Sequence, residues 1–347
     1  MSLATTMGWR RNDEALAGQI EAAGVSCELR PIRLGAARQL QRTMASTDAV
    51  QALAARRAAH GANARAVIYS TITAALLQPL RRPHAVRFDT IAALSRPGIG
   101  GAWQRRRERA VLARADLLLP FSEPAAAAAA TAAGSPPPQI VLPGVVGAAA
   151  SPAADAPEAT AYAGNPEKRG LDVLCAAWAQ AAQAGPPALA GARLAVGGID
   201  RGEALRWLGR RGIEAPESAD FLGAVPHERW MALVAGSRVY VSAARYEDWG
   251  LAQMEALAAG TPLVTVPTPG PNEALGLARA LAPELVAADR TAAALAEALR
   301  AGLAMADDRR ADYSARARTL LEPYSDAALR TLVAERVVPA LLDRSPA

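Results

Sequence analysis

Short apolar runs alternate with longer helical patterns along this chain of 347 residues, and this alternation constrains its fold most strongly. Such alternation predicts a parallel sheet covered by helices on both faces. In the first half, strands are predicted at residues 2–6, 25–32, 66–71, 85–88, 116–120 and 139–142, with the first helix at residues 13–23. In the second half, strands are predicted at residues 160–164, 193–197, 238–242 and 263–266, and helices at 171–184, 203–211, 227–235, 251–259 and 291–304.

Two low-complexity stretches interrupt this alternation. Residues 124–138 contain only Ala, Gly, Ser, Thr and Pro, and residues 147–158 are rich in Ala and Pro. We take the second stretch as the interdomain linker. The sequence therefore predicts an α/β protein of two doubly wound, Rossmann-like domains facing each other across a cleft, at residues 1–148 and 149–324. Residues 325–347 are predicted to form an amphipathic helix.

Composition and charge narrow the class of protein. The two cysteines, Cys27 and Cys175, lie far apart in sequence, which indicates neither a disulfide framework nor a metal site and fits a reducing cytoplasm. No window approaches 18 uninterrupted apolar residues, so neither secretion nor a membrane span is expected. Residues 1–150 carry 18 Arg against nine acidic residues, which favours an anionic partner for that half; solvated Arg-rich helices explain the same charge.

The pattern between residues 238 and 262 is a strand, a loop and a helix that begins after Gly250. The N–H groups near Gly250 and Leu251 have no partner within the helix, and with the helix dipole they suit a diphosphate. Glu255 shares a helical face with Leu251 and Met254, so it lies on or beside the face that packs on the sheet. A carboxylate there needs a partner, for which a ribose diol is suitable, and Glu247 in the loop is placed to reach a sugar hydroxyl. Taken alone, either glutamate is equally explained as a surface residue.

A second motif, residues 162–170, is a strand, a turn and a helix start that contains the only lysine of the chain, Lys168. Retention of one lysine among 37 arginines indicates that a compact ammonium group matters there. A solvent-exposed basic turn without a ligand is the alternative.

The spacing Glu247-x₇-Glu255, followed by Gly260-Thr-Pro and by Pro269-Gly-Pro-Asn-Glu273, strongly resembles the retaining glycosyltransferases of family 4, which have the GT-B fold. The resemblance implies that Glu247 contacts the donor sugar and Glu255 the ribose, and that Lys168 and Arg169 grip the diphosphate. It also implies that the C-terminal helix crosses back to the first domain. The chain departs from the family at Asn165, where an arginine is expected.

The site residues implied on the donor side are as follows. Lys168 and Glu247 are the candidate catalytic residues, together with Asp89 of the first domain. The candidate donor-binding residues are Gly164, Asn165, Arg169, Gly198, Leu222, Trp249, Gly250, Leu251, Glu255 and Gly270. Within this set, Gly198 and the segment 221–225 match family positions beside the nucleotide base, and on their own residues both are only turn signals.

The acceptor side is less well marked. Residues 7–11 stand where the family has a glycine-rich acceptor loop, which makes Gly8 and Arg10 the candidate acceptor-binding residues. Many relatives have a His-Asp pair after the fourth strand; here Phe88 replaces the histidine, and Asp89 is the candidate for orienting a hydroxyl. A helix N-cap is the alternative role for Asp89. We expect His84 to be a surface residue at the start of that strand.

The activity implied by the resemblance is transfer of a hexose from a UDP- or GDP-sugar to a hydroxyl of a saccharide or lipid-linked acceptor, with retention of configuration. Bacterial cell-envelope, polysaccharide or glycolipid synthesis is the expected setting. No cofactor is implied, since the nucleotide sugar is a substrate, and no Asp-x-Asp motif or Cys/His cluster is present, which predicts metal independence. Nucleic acid is not an expected partner.

The expected location is the cytoplasm, with peripheral contact at the inner face of the membrane through residues 103–113, where arginines lie among apolar residues. An ordinary Arg-rich helix is the favoured interpretation of that segment. Two other functions fit the same fold, a sugar-nucleotide 2-epimerase and a non-catalytic nucleotide-sugar-binding partner subunit. A nicotinamide dehydrogenase is disfavoured because no Gly-x-Gly-x-x-Gly motif opens either sheet.

Overall fold

The computed structural model describes residues 7–41, 43–79, 83–147, 150–184 and 191–343. It divides the chain into two compact units, the first comprising Met1–Val145 with Tyr324–Ala347 and the second Val146–Pro323. The strand predicted at residues 2–6 lies outside the described residues.

In the described residues, eight strands form two parallel sheets. The strands are β1 (Val67–Tyr69), β2 (His84–Phe88), β3 (Leu117–Pro120), β4 (Ala159–Tyr162), β5 (Leu194–Gly197), β6 (Ala219–Gly223), β7 (Val239–Ser242) and β8 (Leu263–Thr265). The sheet of the first unit has the order β1-β2-β3, and that of the second unit has the order β6-β5-β4-β7-β8. All pairings between these strands are parallel, as the alternation of strands and helices predicts.

Helices connect and cover these strands. They are α1 (Met7–Ala22), α2 (Met44–Ala59), α3 (Ile72–Ala75), α4 (Ala92–Ser95), α5 (Ala102–Arg114), α6 (Glu123–Ala133), α7 (Leu171–Ala184), α8 (Arg201–Gly209), α9 (His227–Gly236), α10 (Leu251–Ala258), α11 (Glu273–Leu281), α12 (Ala292–Leu303), α13 (Asp307–Leu321), α14 (Asp326–Leu332) and α15 (Val338–Leu342). A π-helical turn, Val333–Val337, joins the last two.

The first unit is covered on both faces of its sheet. On β3, Leu118 packs with α2, α3, α5 and α6, whereas its neighbours Leu117 and Leu119 pack on the opposite face with α1 and the C-terminal helices. Gln19 of α1 also donates a hydrogen bond of 3.0 Å to the Asp326 carboxylate at the start of α14. The C-terminal helices are therefore part of the first unit's core.

Two predictions for the first unit need correction. The first helix begins at Met7, so Gly8 and Arg10 lie in α1 and not in a loop. Among residues 25–32 the structure forms no strand but only an isolated β-bridge at Pro31, which has no N–H for a longer ladder. The guanidinium of Arg30 donates to the carbonyl groups of Ala58 and His60.

The low-complexity residues 124–138 contain most of helix α6. Alanine has the highest helix propensity, and the Ser122 hydroxyl caps the helix by accepting the N–H of Ala125 at 3.3 Å. Gly134, with a φ of 76°, ends it. The strand predicted at residues 139–142 is present only as an isolated bridge between Gln139 and Leu118 of β3. The segment still runs beside β3, since Ile140 and Leu142 donate their N–H groups to the carbonyl groups of Leu118 and Pro120.

The second unit has a topological switch point. The chain passes from β4 outward to β5 and β6, then returns to place β7 on the other side of β4. In open parallel sheets, ligands bind where the connections leave in opposite directions, at the carboxyl ends of the two strands. The loops after β4 and β7 therefore mark the expected position of a site.

Candidate active site

The two loops at the switch point contain the two sequence motifs. The loop after β4 leads through Lys168 and Arg169 to Gly170, and the loop after β7 contains Glu247 and Gly250. The backbone ties them together, because Arg245 donates its N–H to the Lys168 carbonyl at 2.9 Å. A Cβ atom on Gly170 would overlap the carbonyl oxygen of Ala243, so this close approach requires glycine.

A buried ion pair joins the two loops. The guanidinium of Arg169 contacts the Glu247 carboxylate, and their side chains are only 23% and 5% exposed. Burial lowers the pKa of Arg169, but the charge and hydrogen bond of Glu247 outweigh that effect, and the net pKa lies above its ordinary value. The Arg169 guanidinium is therefore charged, and it meets the Glu247 carboxylate at the carboxyl edge of the sheet.

A second pair lies beside the first. Lys168 Nζ is 2.7 Å from Asp248 Oδ2, and the two side chains are 35% and 20% exposed. Asn165 supports the turn, since its side-chain oxygen accepts the N–H of Lys168 at 3.0 Å. The ammonium group also lies 6.0 Å from the centre of the Tyr246 ring. Lys168 is thus more accessible to solvent than Arg169.

Glycines shape the start of α10 and the loop after β8. Gly250 precedes the helix with a φ of 89°, and Gly270 has a φ of 115°, both of which favour glycine. A Cβ atom on Gly270 would overlap the carbonyl oxygen of Glu247. The N–H of Glu247 donates to the Pro269 carbonyl at 3.1 Å, so the loop after β8 packs directly against the loop that holds Glu247.

Glu255 and Leu251 follow on α10. The Glu255 side chain is 14% exposed, and its carboxylate lies 3.8 Å from Nε2 of His227, the first residue of α9. Burial raises the pKa of Tyr240, and the carboxylates of Glu247 and Glu255 raise it further. The hydroxyl of this buried tyrosine of β7 therefore interacts electrostatically with both glutamates.

The remaining donor-side candidates lie at the ends of β4, β5 and β6. Cβ atoms on Gly164 and Gly198 would each lie within 3 Å of the Tyr162 ring, so both glycines make room for that half-exposed side chain. Gly198 donates its N–H to the Gly223 carbonyl at 2.7 Å, which brings it beside Leu222 of β6. The Leu222 side chain is exposed, whereas Trp249 is buried.

The chemistry available here combines cations, carboxylates and a helix N-terminus. Lys168, Arg169 and the first turn of α10 suit an anionic group such as a phosphate. Glu247 and Glu255 suit hydroxyl groups, for which a carboxylate is a strong acceptor. A ligand that carries phosphate groups next to hydroxyl groups is a phosphorylated sugar or a nucleotide.

Comparisons with known proteins agree with this architecture. Residues 156–304 match the model of the family described as glycosyl transferases group 1. The structure is similar to a sucrose-phosphate synthase from Thermosynechococcus elongatus, with a TM-score of 0.71 and 18% identity over 95% of this chain and 92% of that chain. It is also similar to WaaG, a glycosyltransferase involved in lipopolysaccharide biosynthesis, with a TM-score of 0.64 and 15% identity over 96% and 95% of the two chains.

A third similar structure is Anabaena HepE in complex with UDP-glucose, with a TM-score of 0.64 and 14% identity over 92% of this chain and 88% of that one. The fold is GT-B. A comparison with curated protein sequences finds no significant match. The family model and the GT-B neighbours together support a glycosyltransferase of the GT-B type.

The acceptor-side candidates of this GT-B chain lie in its first unit. Arg10 is exposed on the first turns of α1, and Asp89 is half-buried immediately after β2. Asp89 does not cap α4, whose N-cap is Ile91, so the alternative role considered for it is wrong. The expectation that His84 lies on the surface is also wrong, because it is 3% exposed and its Nδ1 lies 2.9 Å from the Asp116 carboxylate.

The sequence did not identify several polar residues that the GT-B fold brings to the site. Asp248 follows Glu247 directly, but nothing in its pattern indicated that it pairs with Lys168, 80 positions earlier. Arg245 also bridges the two loops, because its Nη1 donates to the Glu167 carbonyl at 2.7 Å, and its Nη2 lies 2.5 Å from Asp172 Oδ2 at the start of α7. A search for acidic residues next to the glutamate motif would have found Asp248.

The described part of the chain has neither a metal-binding cluster nor a membrane-spanning helix. It contains no group of three or more His, Cys, Asp or Glu residues arranged to hold a metal ion. None of its helices is both long enough and apolar enough to cross a bilayer. Metal independence stays a prediction.

Proposed function

We propose that this chain transfers a hexose from a UDP- or GDP-sugar to a hydroxyl acceptor with retention of configuration, in bacterial cell-envelope, polysaccharide or glycolipid synthesis. The observation that supports this most strongly is the meeting of Arg169 and Glu247 at the switch point of the second unit. That unit contains the whole segment matched by the group 1 glycosyl transferase model. The UDP-glucose complex of HepE and the lipopolysaccharide role of WaaG support the donor class and the setting.

The proposed binding mode assigns each donor group to a contact of stated chemistry. Lys168, Arg169 and the N–H groups at the start of α10 bind the diphosphate, because cations and helix N-termini both stabilise phosphate oxygens. Glu247 accepts a hydroxyl of the sugar. Glu255 accepts the ribose hydroxyls, with His227 beside it. The base lies by Gly198 and Leu222.

In the proposed reaction, the acceptor hydroxyl attacks the anomeric carbon on the face from which the phosphate leaves. The bond from that carbon to the phosphate oxygen breaks, the bond to the acceptor oxygen forms, and the proton passes to the departing phosphate. The residues that stabilise negative charge on the leaving group therefore supply most of the catalysis. Asp89 of the first unit is the proposed residue for orienting a hydroxyl.

The surface of the first unit supports a peripheral contact with an anionic membrane. Leu94, Ile99 and Trp103 are exposed, and Ile99 is 95% exposed. Arg106 and Arg109 are exposed in the same segment, whereas Glu108, the only acidic residue between positions 90 and 115, is buried. Exposed apolar side chains next to cations suit the interface of an anionic bilayer.

A sedimentation assay tests the membrane contact. Vesicles of phosphatidylglycerol and phosphatidylcholine should pull down the protein at low salt, pure phosphatidylcholine vesicles should not, and an Ile99→Ser, Trp103→Ser variant should stay in solution. Absence of binding to the anionic vesicles at low salt would rule out the membrane contact.

Cleavage of labelled UDP-, GDP- and ADP-sugars, with and without saccharide or lipid-linked acceptors, tests the enzymatic function. Lys168→Ala and Glu247→Ala should each lower transfer by about 100-fold or more, in the range found when a charge-stabilising group is removed. Arg229→Ala, which breaks an exposed pair with Asp155 elsewhere in the second unit, is the matched control and should transfer at the wild-type rate. Wild-type turnover in the Lys168 and Glu247 variants would refute the assignment.

The same assay separates the alternatives. A 2-epimerase changes the donor sugar without releasing it, and a non-catalytic partner subunit binds the nucleotide sugar without cleaving it. Chelation with EDTA should leave the transfer rate unchanged.

A further inference from the structure

The side chain of Asn272 is buried at the carboxyl edge of the second sheet without a hydrogen bond. It is 8% exposed, and among the described residues neither its Oδ1 nor its Nδ2 atom has a hydrogen-bond partner. Buried amides are almost always hydrogen-bonded, because an unsatisfied polar group away from water is unfavourable. An orphaned amide in a native structure therefore indicates a missing partner.

Asn272 occupies a position at which its side chain would ordinarily have a structural role. It is the N-cap residue of α11, where asparagine commonly accepts a backbone N–H of the first turn, yet it makes no such bond. Elsewhere in the same unit the caps do form: Asp200 accepts at the start of α8 and Thr291 at the start of α12. Capping therefore does not account for the asparagine.

The amide points at the start of another helix. A Cβ atom built on Gly250, the residue that precedes α10, would lie 2.8 Å from Asn272 Oδ1. Gly250 has no side chain to cap α10, just as Asn272 does not cap α11. The N-termini of α10 and α11 are thus adjacent, and each presents partial positive charge and N–H groups to the same place.

We infer that Asn272 binds the nucleoside diphosphate directly, its amide N–H donating to an oxygen of the terminal phosphate, the phosphate that carries the sugar in the donor. The inference rests on the proposed function and adds a residue to it. A half-turn of the amide exchanges its oxygen and nitrogen, so the donor end can face an anion at the start of α10. The ligand supplies the partner that the protein lacks.

A role in ligand binding and a role in the fold predict opposite effects of mutation. Asn272→Ala removes no hydrogen bond of the described structure, so the melting temperature should stay the same or rise. Asn272→Asp is nearly isosteric and places an anion beside two helix N-termini, which should raise the melting temperature. Binding of a diphosphate should weaken in both variants, and more in the aspartate variant because of charge repulsion.

Calorimetric titrations of the full chain with UDP, GDP and ADP, and with UMP, GMP and AMP, test this inference. For the diphosphate that the wild type binds, Asn272→Ala should weaken affinity by about tenfold, the loss of one charge-assisted hydrogen bond, and Asn272→Asp should weaken it further. Affinity for the corresponding monophosphate should not change. Thr291→Ala, which removes a cap that does form, should lower the melting temperature and leave both affinities unchanged.

The outcomes separate this inference from the function on which it rests. Wild-type protein that binds none of the three diphosphates would overturn the proposed function and this inference with it. If both Asn272 variants bind the diphosphate as tightly as the wild type does, the inference is overturned and the proposed function stands. An equal loss of diphosphate and monophosphate affinity, or a loss of melting temperature in both variants, would show that the role of Asn272 is structural and would also overturn it.

Discussion

Arg169 and Glu247 illustrate how much a single contact can depend on residues that are distant in sequence. The structure gives the more buried position to Arg169, and it pairs Lys168 with Asp248. Such pairings arise between loops about 80 positions apart, and no local pattern specifies them.

The first prediction at the residue scale concerns the cost of separating the buried pair. Glu247→Leu leaves the Arg169 guanidinium buried without its partner, which should lower the free energy of unfolding by about 3–5 kcal/mol. The double variant Arg169→Met, Glu247→Leu replaces both charges by apolar groups and should recover most of that stability without recovering transfer. Urea unfolding of wild type and both variants measures the effect.

Asp155→Asn is the control for this experiment, because it breaks the exposed pair with Arg229 and should leave unfolding unchanged. A Glu247→Leu protein as stable as wild type would show that the pair is not buried in solution.

The second prediction concerns Glu108, a buried carboxyl on α5. Burial raises its pKa from 4.5 to about 8, and Asp48 contributes in the same direction, whereas the N–H of Ala92 and the charge of Arg96 lower it. Between about pH 4.5 and pH 8, the Glu108 carboxyl is therefore protonated in the folded protein and ionised in the unfolded chain. The stability that it contributes is therefore complete below about pH 4.5 and falls as the pH rises to about 8.

Urea unfolding at pH 5.5 and pH 8.5 tests this sign. The free energy of unfolding of the wild type should fall between pH 5.5 and pH 8.5. It should fall less in Glu108→Gln, because the glutamine side chain stays neutral and keeps an oxygen that can accept the N–H of Ala92. Asp48 also has a raised pKa, so some dependence should remain in the variant. Equal losses in the two proteins would contradict the assignment to Glu108.

At the scale of elements, continuous apolar runs were located accurately, and mixed patterns were not. β4, β5, β7 and β8 were predicted to within one or two residues because parallel strands buried on both faces consist almost entirely of apolar residues. β6 was missed as a strand, since Asp220 and Leu222 are exposed at the edge of the sheet and break the run. The alanine-rich α6 was treated as a low-complexity segment because it lacks an amphipathic pattern.

The prediction at the scale of elements concerns the loop between β8 and α11. Gly270→Ala forces a Cβ atom onto the Glu247 carbonyl at a φ of 115°, so it should lower both the melting temperature and the transfer rate. Gly276→Ala, six positions later within α11, meets nothing within 4 Å and should raise stability by about 0.5–1 kcal/mol without affecting transfer. Thermal unfolding and donor cleavage compare the two variants.

Gly276→Ala is a matched control, because both substitutions add one methyl group to the same part of the chain. Similar behaviour of the two alanine variants would mean that the conformation of the loop at Gly270 is not required.

At the scale of the whole molecule, the α/β class and the GT-B fold could be predicted from the sequence. Which segments form the first unit could be predicted only in part. The alternation of strands and helices is repeated many times, so errors at single elements did not change the class. The first unit is harder to predict because its core depends on residues from both ends of the chain. Leu329, Val333 and Val337 pack with Leu16 and Ile20 of α1.

The central claim for the whole molecule is that its second unit binds a nucleotide sugar through the residues at the switch point. The most direct test is the thermal shift produced by UDP-glucose, GDP-mannose and ADP-glucose in wild type and in the Arg169→Met, Glu247→Leu double variant. Because a ligand that binds the native state raises its melting temperature, at least one donor should stabilise wild type and none should stabilise the folded double variant. Equal stabilisation of both proteins, or no shift of wild type with any donor, would contradict the claim.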